Sequence, residues 1–333
     1  MIANILGKSL KEEDLTKKDV LRLFKIKSCR DVMKLFEAAS KIRDDDSKKI
    51  KLTSTIHLKN ICEITPKCKY CGFAAGTSSE GYYHPFIRTD IDIMEAAKAI
   101  EESGIPRVSC SGAHGDGGHH AVRAASIVKT KTSLELLVNV GVDLSWNSLE
   151  KLGGYKTDTL CCNLETTNGR LFIKLKPGET LKDRINTCNM ACDLGLELSS
   201  GLLVGVGESY EDRVNHLFFL KNFSTLAEIP IMGFHPYKDT PMENHPPCSM
   251  LDQTKTIAIT RLLYRNFRIT APTPTIGPES VQFALLAGAD NFATVIPNDY
   301  PLNVKGVGSP TYGNLKDVLR CIRELGLKPQ ISK

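Results

Sequence analysis

The sequence predicts an α/β fold, a (βα)8 barrel of TIM type with an N-terminal helical lead-in, and three observations carry that reading. From about residue 52, β-rich apolar runs alternate with segments of helical period, the pattern of βα units on a parallel sheet. Eight such pairs can be counted, the number that closes a barrel. Gly104, Gly195, Gly288 and Gly326 each follow a helical run, where a left-handed C-terminal cap is easiest for glycine.

In chain order the strands are expected at Thr53–Ile61, Arg107–Ser111, Leu134–Val140, Asp158–Asn163, Leu196–Val204, Pro230–His235, Phe267–Ala271 and Asn291–Ile296. The helices that follow them are expected at Ile91–Glu102, His120–Lys129, Trp146–Leu152, Leu181–Asp193, Glu211–Lys221, Leu251–Tyr264, Glu279–Leu286 and Leu315–Leu325. Residues 1–50 carry helical patterns in Asp19–Phe24 and Asp31–Ile42. They are read as a lead-in that covers the barrel, with residues 51–333 as the barrel itself. No linker, tandem repeat or low-complexity stretch divides the chain. An active site on this fold lies at the C-terminal ends of the strands, on the loops that follow them.

Composition narrows the function. The 333 residues are 41% hydrophobic and 24% charged, the balance of a soluble globular protein with a sizeable core. Net charge is +5 without a long basic run. Lys48-Lys49-Ile50-Lys51 and Lys129-Thr130-Lys131 are short and read as solvated faces, so nucleic acid is not an expected partner. Met1–Leu10 lacks the apolar core of a signal peptide, and no segment has about 18 consecutive apolar residues. A cytoplasmic protein with no membrane partner is expected. The 11 cysteines are odd in number and unevenly placed, which argues for free thiols and metal ligation over a disulfide scaffold.

Cys62, Cys68 and Cys71 follow the first strand at the spacing C-x5-C-x2-C, within Ile61-Cys62-Glu63-Ile64-Thr65-Pro66-Lys67-Cys68-Lys69-Tyr70-Cys71-Gly72-Phe73, and so fall in a loop at the catalytic face. Three thiolates in a short loop can hold three irons of a [4Fe–4S] cluster, and the lack of a fourth nearby cysteine leaves the last iron open to an outside ligand. A zinc knot normally uses four protein ligands. His57, expected inside the strand, or His84, thirteen positions past the last cysteine, would have to complete it. Unligated thiols are the third reading, although cysteine clusters in reducing compartments favour metal or catalysis.

Tyr70, just before the last cysteine, and Gly72-Phe73 after it resemble the cluster loop of the radical S-adenosylmethionine (SAM) superfamily. The whole chain is similar to the biotin-synthase-like branch of that superfamily. The lead-in, Ile56-His57-Leu58-Lys59-Asn60, Asn163-Leu164-Glu165-Thr166, Gly201-Leu202-Leu203-Val204-Gly205-Val206-Gly207-Glu208 and Leu286-Ala287-Gly288-Ala289-Asp290 fall in the expected order. The resemblance implies an enzyme with a [4Fe–4S] cluster on Cys62, Cys68 and Cys71. The reduced cluster would cleave SAM, and a 5′-deoxyadenosyl radical would abstract hydrogen from a small-molecule substrate inside the barrel. An external one-electron reductant and pathway partner proteins are implied with it.

The same resemblance implies SAM contacts. Tyr70 would lie near the adenine, and the backbone at Ser111, Gly112 and Ala113 would meet the methionine amino group. Asn163 and Glu165 would hold the ribose hydroxyls, Arg184 would face the carboxylate, and Leu203 and His235 would border the adenine. A ribose needs acceptors such as Glu165, and a carboxylate is well met by a planar guanidinium. Taken alone, either residue reads as an ordinary surface charge.

The chain also departs from its relatives. Biotin synthase has C-x3-C-x2-C, and its sulfur insertion needs a second cluster held by three cysteines and an arginine on inner strands. Of those positions only Cys110 is retained; the others fall in Glu135-Leu136-Leu137, at Ser199 and in Ala271-Pro272-Thr273. Biotin-type sulfur donation is therefore not expected, and Cys110, just before Ser111, is expected to line the substrate cavity. The C-x5-C-x2-C spacing on this barrel resembles the radical SAM maturase of [Fe]-hydrogenase in methanogenic archaea, implicated in building the pyridinol of the iron-guanylylpyridinol cofactor. Within the class the alternative is a neighbouring biotin-synthase-like activity, amino-acid carbon-skeleton rearrangement or maturation of a different hydrogenase. Outside it stands an iron–sulfur electron-transfer protein or a zinc-stabilised binding protein.

Weaker signals complete the reading. Gly112-Ala113-His114-Gly115-Asp116-Gly117-Gly118-His119-His120 offers His114, His119 and His120 for a phosphate or metal, and a flexible loop explains its glycines equally well. Cys161-Cys162 puts one side chain inward and the other toward the helices. Cys188 and Cys192, four apart on one helix face, read as buried packing. Gly205-Val206-Gly207-Glu208 lacks the full G-x-G-x-x-G and reads as a barrel loop.

Overall fold

The computed structural model describes residues 2–74, 85–139, 141–277, 280–302 and 313–332. His84, Val140 and Glu279, which figured in the sequence reading, lie outside them. Three helices come first, α1 (Ile2–Leu10), α2 (Lys17–Phe24) and α3 (Cys29–Asp46). Thr16 caps α2 in a reciprocal box with Asp19, and Ser28 accepts from the Asp31 N–H at the start of α3. Both satisfy N–H groups that a helix start leaves orphaned.

Next come β1 (Lys49–His57), a 3-10 turn (Gly72–Ala74), α4 (Asp90–Glu102), β2 (Arg107–Ser111), α5 (His119–Lys131), β3 (Glu135–Asn139), α6 (Trp146–Gly154), β4 (Thr159–Cys161), α7 (Gly169–Leu175) and α8 (Leu181–Asp193). The chain continues through β5 (Glu197–Ser199), β6 (Leu202–Val204), α9 (Tyr210–Phe219), β7 (Leu226–Gly233), α10 (Met250–Leu263), β8 (Arg268–Pro272), α11 (Thr273–Ile276), α12 (Val281–Leu286), β9 (Asn291–Ala293), α13 (Leu315–Glu324) and β10 (Lys328–Pro329). Strands β1, β2, β3, β4, β5, β7, β8 and β9 pair in that order, all parallel, and β9 closes back on β1. The result is the closed eight-stranded TIM-type barrel that the alternation predicts. Gly104, Gly195, Gly288 and Gly326 all have positive φ, from 67° to 87°, as left-handed helix caps require.

Three strand expectations need correction. The first strand is Lys49–His57 rather than Thr53–Ile61, so it begins within the expected lead-in and ends before Ile61. The run Leu196–Val204 is broken into β5 and β6, because a Cβ on Gly201 would lie 1.9 Å from the Pro230 carbonyl oxygen; both pieces pair with β7. Strand β7 begins at Leu226, before the expected Pro230, and so includes a buried glutamate, Glu228.

The lead-in helices bury Val20, Leu23, Phe24, Leu35 and Ile42 in the same apolar cluster as the barrel residues Ile56, Val108, Leu136 and Leu160. Each such side chain contributes roughly 1.5–3 kcal/mol. Polar ties fix their position: Lys255 Nζ donates to the Phe24 and Ile26 carbonyls at 2.8 and 3.0 Å, and Ser9 Oγ to Leu262 O at 3.1 Å. Among the described residues no helix is long and apolar enough to cross a membrane.

Strand alternation divides the barrel into an apolar outer layer and a polar lumen. Ile56, Cys110 and Val138 are in register and buried in the apolar cluster. Thr55, Ser109 and Leu137, then His57, Ser111 and Asn139, face inward. The expectation that Cys110 lines the cavity is thus wrong by one residue: its thiol faces the helices, and burial pushes its pKa up to about 12. The lumen is floored by a buried charge network. Arg107 Nη1 lies 2.6 Å from Glu228 Oε2, and Glu228 also accepts from Thr270 Oγ1 at 2.6 Å, Asn291 Nδ2 at 3.2 Å and Arg268 Nε at 3.3 Å.

Candidate active site

The cysteine loop leaves β1 and is held on three sides. Glu63 N–H donates to His114 O at 2.8 Å, Lys69 N–H to Leu175 O at 2.8 Å, and Met242 N–H to Lys69 O at 3.2 Å; Lys67 Nζ closes the loop on the Cys62 carbonyl. All three thiols are free, Cys68 buried and the others half-buried. Burial raises the Cys68 thiol above its ordinary value, with the Lys176 charge opposing, and pushes Cys71 up to about 11. Three thiols on one loop, all at the rim of one cleft, can each take a different iron of a cubane. The donor set therefore fits a [4Fe–4S] cluster.

The three cysteines border a cleft of about 210 Å³ at the C-terminal ends of the strands. Tyr70, Ser111, Gly112, Ala113, Asn163, Glu165 and Arg184 all line it. The N–H groups of Gly112 and Ala113 are consumed by Asn139 O at 3.2 Å and Lys59 O at 2.9 Å, which leaves carbonyls as the polar groups the backbone can offer. Glu165 has φ +62°, an unfavourable region for a non-glycine residue. Its N–H donates to Gly201 O and its carbonyl accepts from Leu203. No hydrogen bond engages its carboxylate among the described residues. Asn163 Oδ1 accepts from Gly201 N–H at 2.9 Å, and its NH₂ group donates to Met232 Sδ, on the cleft wall, at 3.7 Å.

Arg184 is only 3% exposed and is already paired: Nη2 and Nε lie 2.7 and 2.8 Å from Glu179 Oε2, and Nη1 donates to the Asn163 carbonyl. Burial would raise Glu179, yet His114, Arg184 and Lys176 together hold it well below the usual carboxylate range. Sequence reasoning missed Glu179 and Lys176, both cleft-lining. Leu203 and His235 do not line the cleft. Leu203 sits behind Tyr70 in a small apolar cluster with Leu175, Val206 and Phe234, and the His235 ring packs on Tyr237 at 5.5 Å.

Ser111, Asn139, Cys161, Asn163 and Met232 also line the lumen cavity, of about 180 Å³, so cleft and lumen adjoin. Its other walls include Thr53, Thr55, His57, Ser109, Ser199, Thr270 and Thr294. Burial, then the Arg88 charge, lowers the His57 imidazole to about 4, which keeps it neutral at pH 7. The weaker signals resolve structurally. His114 is on Glu179, whereas His119 and His120 face each other at 5.6 Å at the start of α5. Glu208 accepts from the Gly205 and Val206 N–H groups, both at 2.8 Å, filling what a phosphate would need. Cys188 is fully buried, with Sγ 3.5 Å from Cys162 O.

A parallel β/α barrel with a three-cysteine loop over a polar cleft is the body of a cofactor-dependent barrel enzyme. Residues 58–220 match the radical SAM superfamily, and residues 230–304 the biotin and thiamin synthesis associated domain. The chain is 30% identical over 286 residues to biotin synthase of Thermotoga neapolitana, covering 83% of this chain and 97% of that one. It is 62% identical over 313 residues to an uncharacterized protein of Methanocaldococcus jannaschii, covering 94% of this chain and 84% of that one. The fold matches methylornithine synthase with TM-score 0.88 at 24% identity over 98% and 97% of the chains. It matches the FeFe-hydrogenase maturase HydG of Carboxydothermus hydrogenoformans with TM-score 0.83 at 18% identity over 98% and 79%. The chain belongs to the radical SAM superfamily, in its biotin-synthase-like branch, and is an enzyme. Membership implies a [4Fe–4S] cluster and SAM.

Proposed function

We propose that this enzyme cleaves SAM at a [4Fe–4S] cluster held by Cys62, Cys68 and Cys71, and does so in building the pyridinol of the iron-guanylylpyridinol cofactor of [Fe]-hydrogenase. The observation that carries the reading is the C-x5-C-x2-C loop, seated over the cleft that opens toward the lumen. A [4Fe–4S] cluster held by Cys62, Cys68 and Cys71 would supply, when reduced, the electron for cleavage of SAM to methionine and a hydrogen-abstracting 5′-deoxyadenosyl radical.

The chain's own part is binding, orientation and exclusion of water. Glu165, with its unengaged carboxylate, and Asn163 hold the ribose hydroxyls. Arg184, fixed by Glu179, presents its guanidinium edge to the carboxylate, and the carbonyls at Ser111, Gly112 and Ala113 meet the amino group. Tyr70 borders the adenine, with Leu203 packed in the apolar cluster against it. The small-molecule substrate occupies the lumen. An external one-electron reductant, pathway proteins and a cytoplasmic setting complete the reading, with residues 1–50 as a helical lead-in to the barrel.

Among the described residues, a sulfur-donating second cluster finds no set of thiol ligands lining the lumen. Inward positions are Ser109, Leu137 and Ser199, and Cys161 is the lining thiol among the described residues. A second reading, carbon-skeleton rearrangement of an amino acid, is favoured by 24% identity over 328 residues to 3-methylornithine synthase of Methanosarcina acetivorans. An amino acid needs charged anchors. The Glu228 carboxylate, the charged group lining the lumen among the described residues, is already engaged by Arg107 and Arg268, which favours the first reading.

Glu165→Ala and Arg184→Ala are expected to weaken SAM binding by about 1.5–3 kcal/mol each, the range for hydrogen bonds to charged groups, with the cluster spectrum unchanged. Equilibrium binding of SAM to reconstituted variants checks this; unaltered affinity in both counts against these contacts. The pathway is tested by mass spectrometry. Reconstituted enzyme, reductant, SAM and a methanogen small-molecule extract should yield a pyridinol-ring product in step with 5′-deoxyadenosine. Turnover coupled to an amino acid instead would move the assignment to the second reading.

A further inference from the structure

Lys176 is buried in the cleft wall, 4% exposed, and the local chain explains why. Asn168 caps α7 through the Arg170 and Leu171 N–H groups, and the helix ends at Leu175, leaving Lys176 at its C-cap. Pro177-Gly178 then turns against the cysteine loop so closely that a Cβ on Gly178 would lie 2.4 Å from Pro66 O. The Lys69 N–H bond to Leu175 O, 2.8 Å, ties loop to helix end. These constraints set Lys176 Nζ 3.3 Å from Cys68 Sγ, 3.6 Å from Glu179 Oε1 and 5.4 Å from the centre of the Tyr70 ring.

An ammonium taken out of water needs compensating charge, and its nearest carboxylate is shared. Glu179 serves Arg184 at 2.7 Å as well as Lys176 at 3.6 Å. Two buried cations therefore face one buried anion, and Glu165, half-buried in the same cleft, makes no ion pair with either. The donor that reaches Cys68 would be in charge balance opposite a thiolate.

We propose that Lys176 is a positioning residue for the iron–sulfur cluster: it donates to the Cys68 ligand and raises the potential at which the cluster accepts its electron. This rests on the reading that Cys62, Cys68 and Cys71 hold that cluster. Hydrogen bonds and positive charge at a ligand sulfur stabilise the reduced, more negative state. The effect is stronger where burial limits screening. Glu179, holding both Lys176 and Arg184, keeps this donor and the SAM-facing guanidinium in one rigid unit.

The test is an EPR-monitored redox titration of full-length protein reconstituted anaerobically, as wild type, Lys176→Met, Lys176→Arg and, as a control on the exposed side of the same helix, Lys174→Met. Lys176→Met is expected to retain its iron but titrate at lower potential. Its ratio of reduced to oxidised cluster at a fixed ambient potential should fall by roughly tenfold or more, the size of a lost charge-assisted hydrogen bond. Lys176→Arg should restore the wild-type midpoint, and Lys174→Met should match it. An unchanged midpoint in Lys176→Met with full iron overturns the proposal. Should the Met variant lose iron, the Arg variant decides: a cluster at wild-type potential supports the proposal, and a lowered one overturns it. Wild-type protein that takes up no cluster at all would instead sink the reading on which the proposal rests.

Discussion

Replacing any one of Cys62, Cys68 or Cys71 with Ala is expected to abolish SAM cleavage and to lower bound iron sharply. The three thiols are the cysteines of one loop, at the rim of one cleft, and each is assigned to a different iron, so none can substitute for another. Cys188→Ala and Cys192→Ala should leave both properties intact. Cys188 is packed in the apolar layer, and Cys192 accepts from Thr225 Oγ1 at 3.2 Å on the outer side. Cys110→Ala belongs with these controls, because its thiol faces the helices. Iron content and 5′-deoxyadenosine formation are the measurements, and full SAM cleavage by Cys68→Ala would overturn the assignment.

The next largest effect is on stability. Arg107→Met is expected to destabilise the fold by about 3–5 kcal/mol, the cost of breaking a buried ion pair and stranding its partner. Arg107 is fully buried, and Glu228 loses its 2.6 Å bond. Adding Glu228→Leu should recover part of that loss, since removing both partners is less harmful than removing one. The pair also sets a pH dependence. Burial alone would raise the Glu228 carboxyl, but Arg107 and Arg268 outweigh it and hold it near about 2. A depressed folded value contributes stability above the unfolded value of about 4.3. That contribution is lost as pH falls through the folded value and amounts to about 3 kcal/mol. Urea unfolding at pH 7 and pH 3 should therefore show a smaller pH-dependent loss in Glu228→Gln than in wild type.

The barrel was legible in the sequence because its outer layer is apolar at alternating positions and its helices end on glycine. Strand β2 shows both how far this goes and where it was misread. In Arg107-Val108-Ser109-Cys110-Ser111 the polar residues alternate with apolar ones, and in a barrel with a polar lumen the polar set faces in. That parity already placed Cys110 outside. The role of Glu228 was opaque because its partner Arg107 lies 121 residues away. The cysteine loop and Glu165 were legible as motifs. Glu179 and Lys176 were not, since Lys176-Pro177-Gly178-Glu179 reads as a turn between helices. Only the packing of that turn on the cysteine loop gives the two side chains a role.

Each chain is expected to hold one SAM-cleaving cubane and no second cluster. Anaerobic reconstitution followed by iron and sulfide analysis, then incubation with dithionite and SAM, tests it in one experiment. The expected result is a brown protein with about four irons per chain, no [2Fe–2S] component in its spectrum, and equal yields of methionine and 5′-deoxyadenosine. A colourless zinc protein, or an iron–sulfur protein that leaves SAM intact, would contradict it.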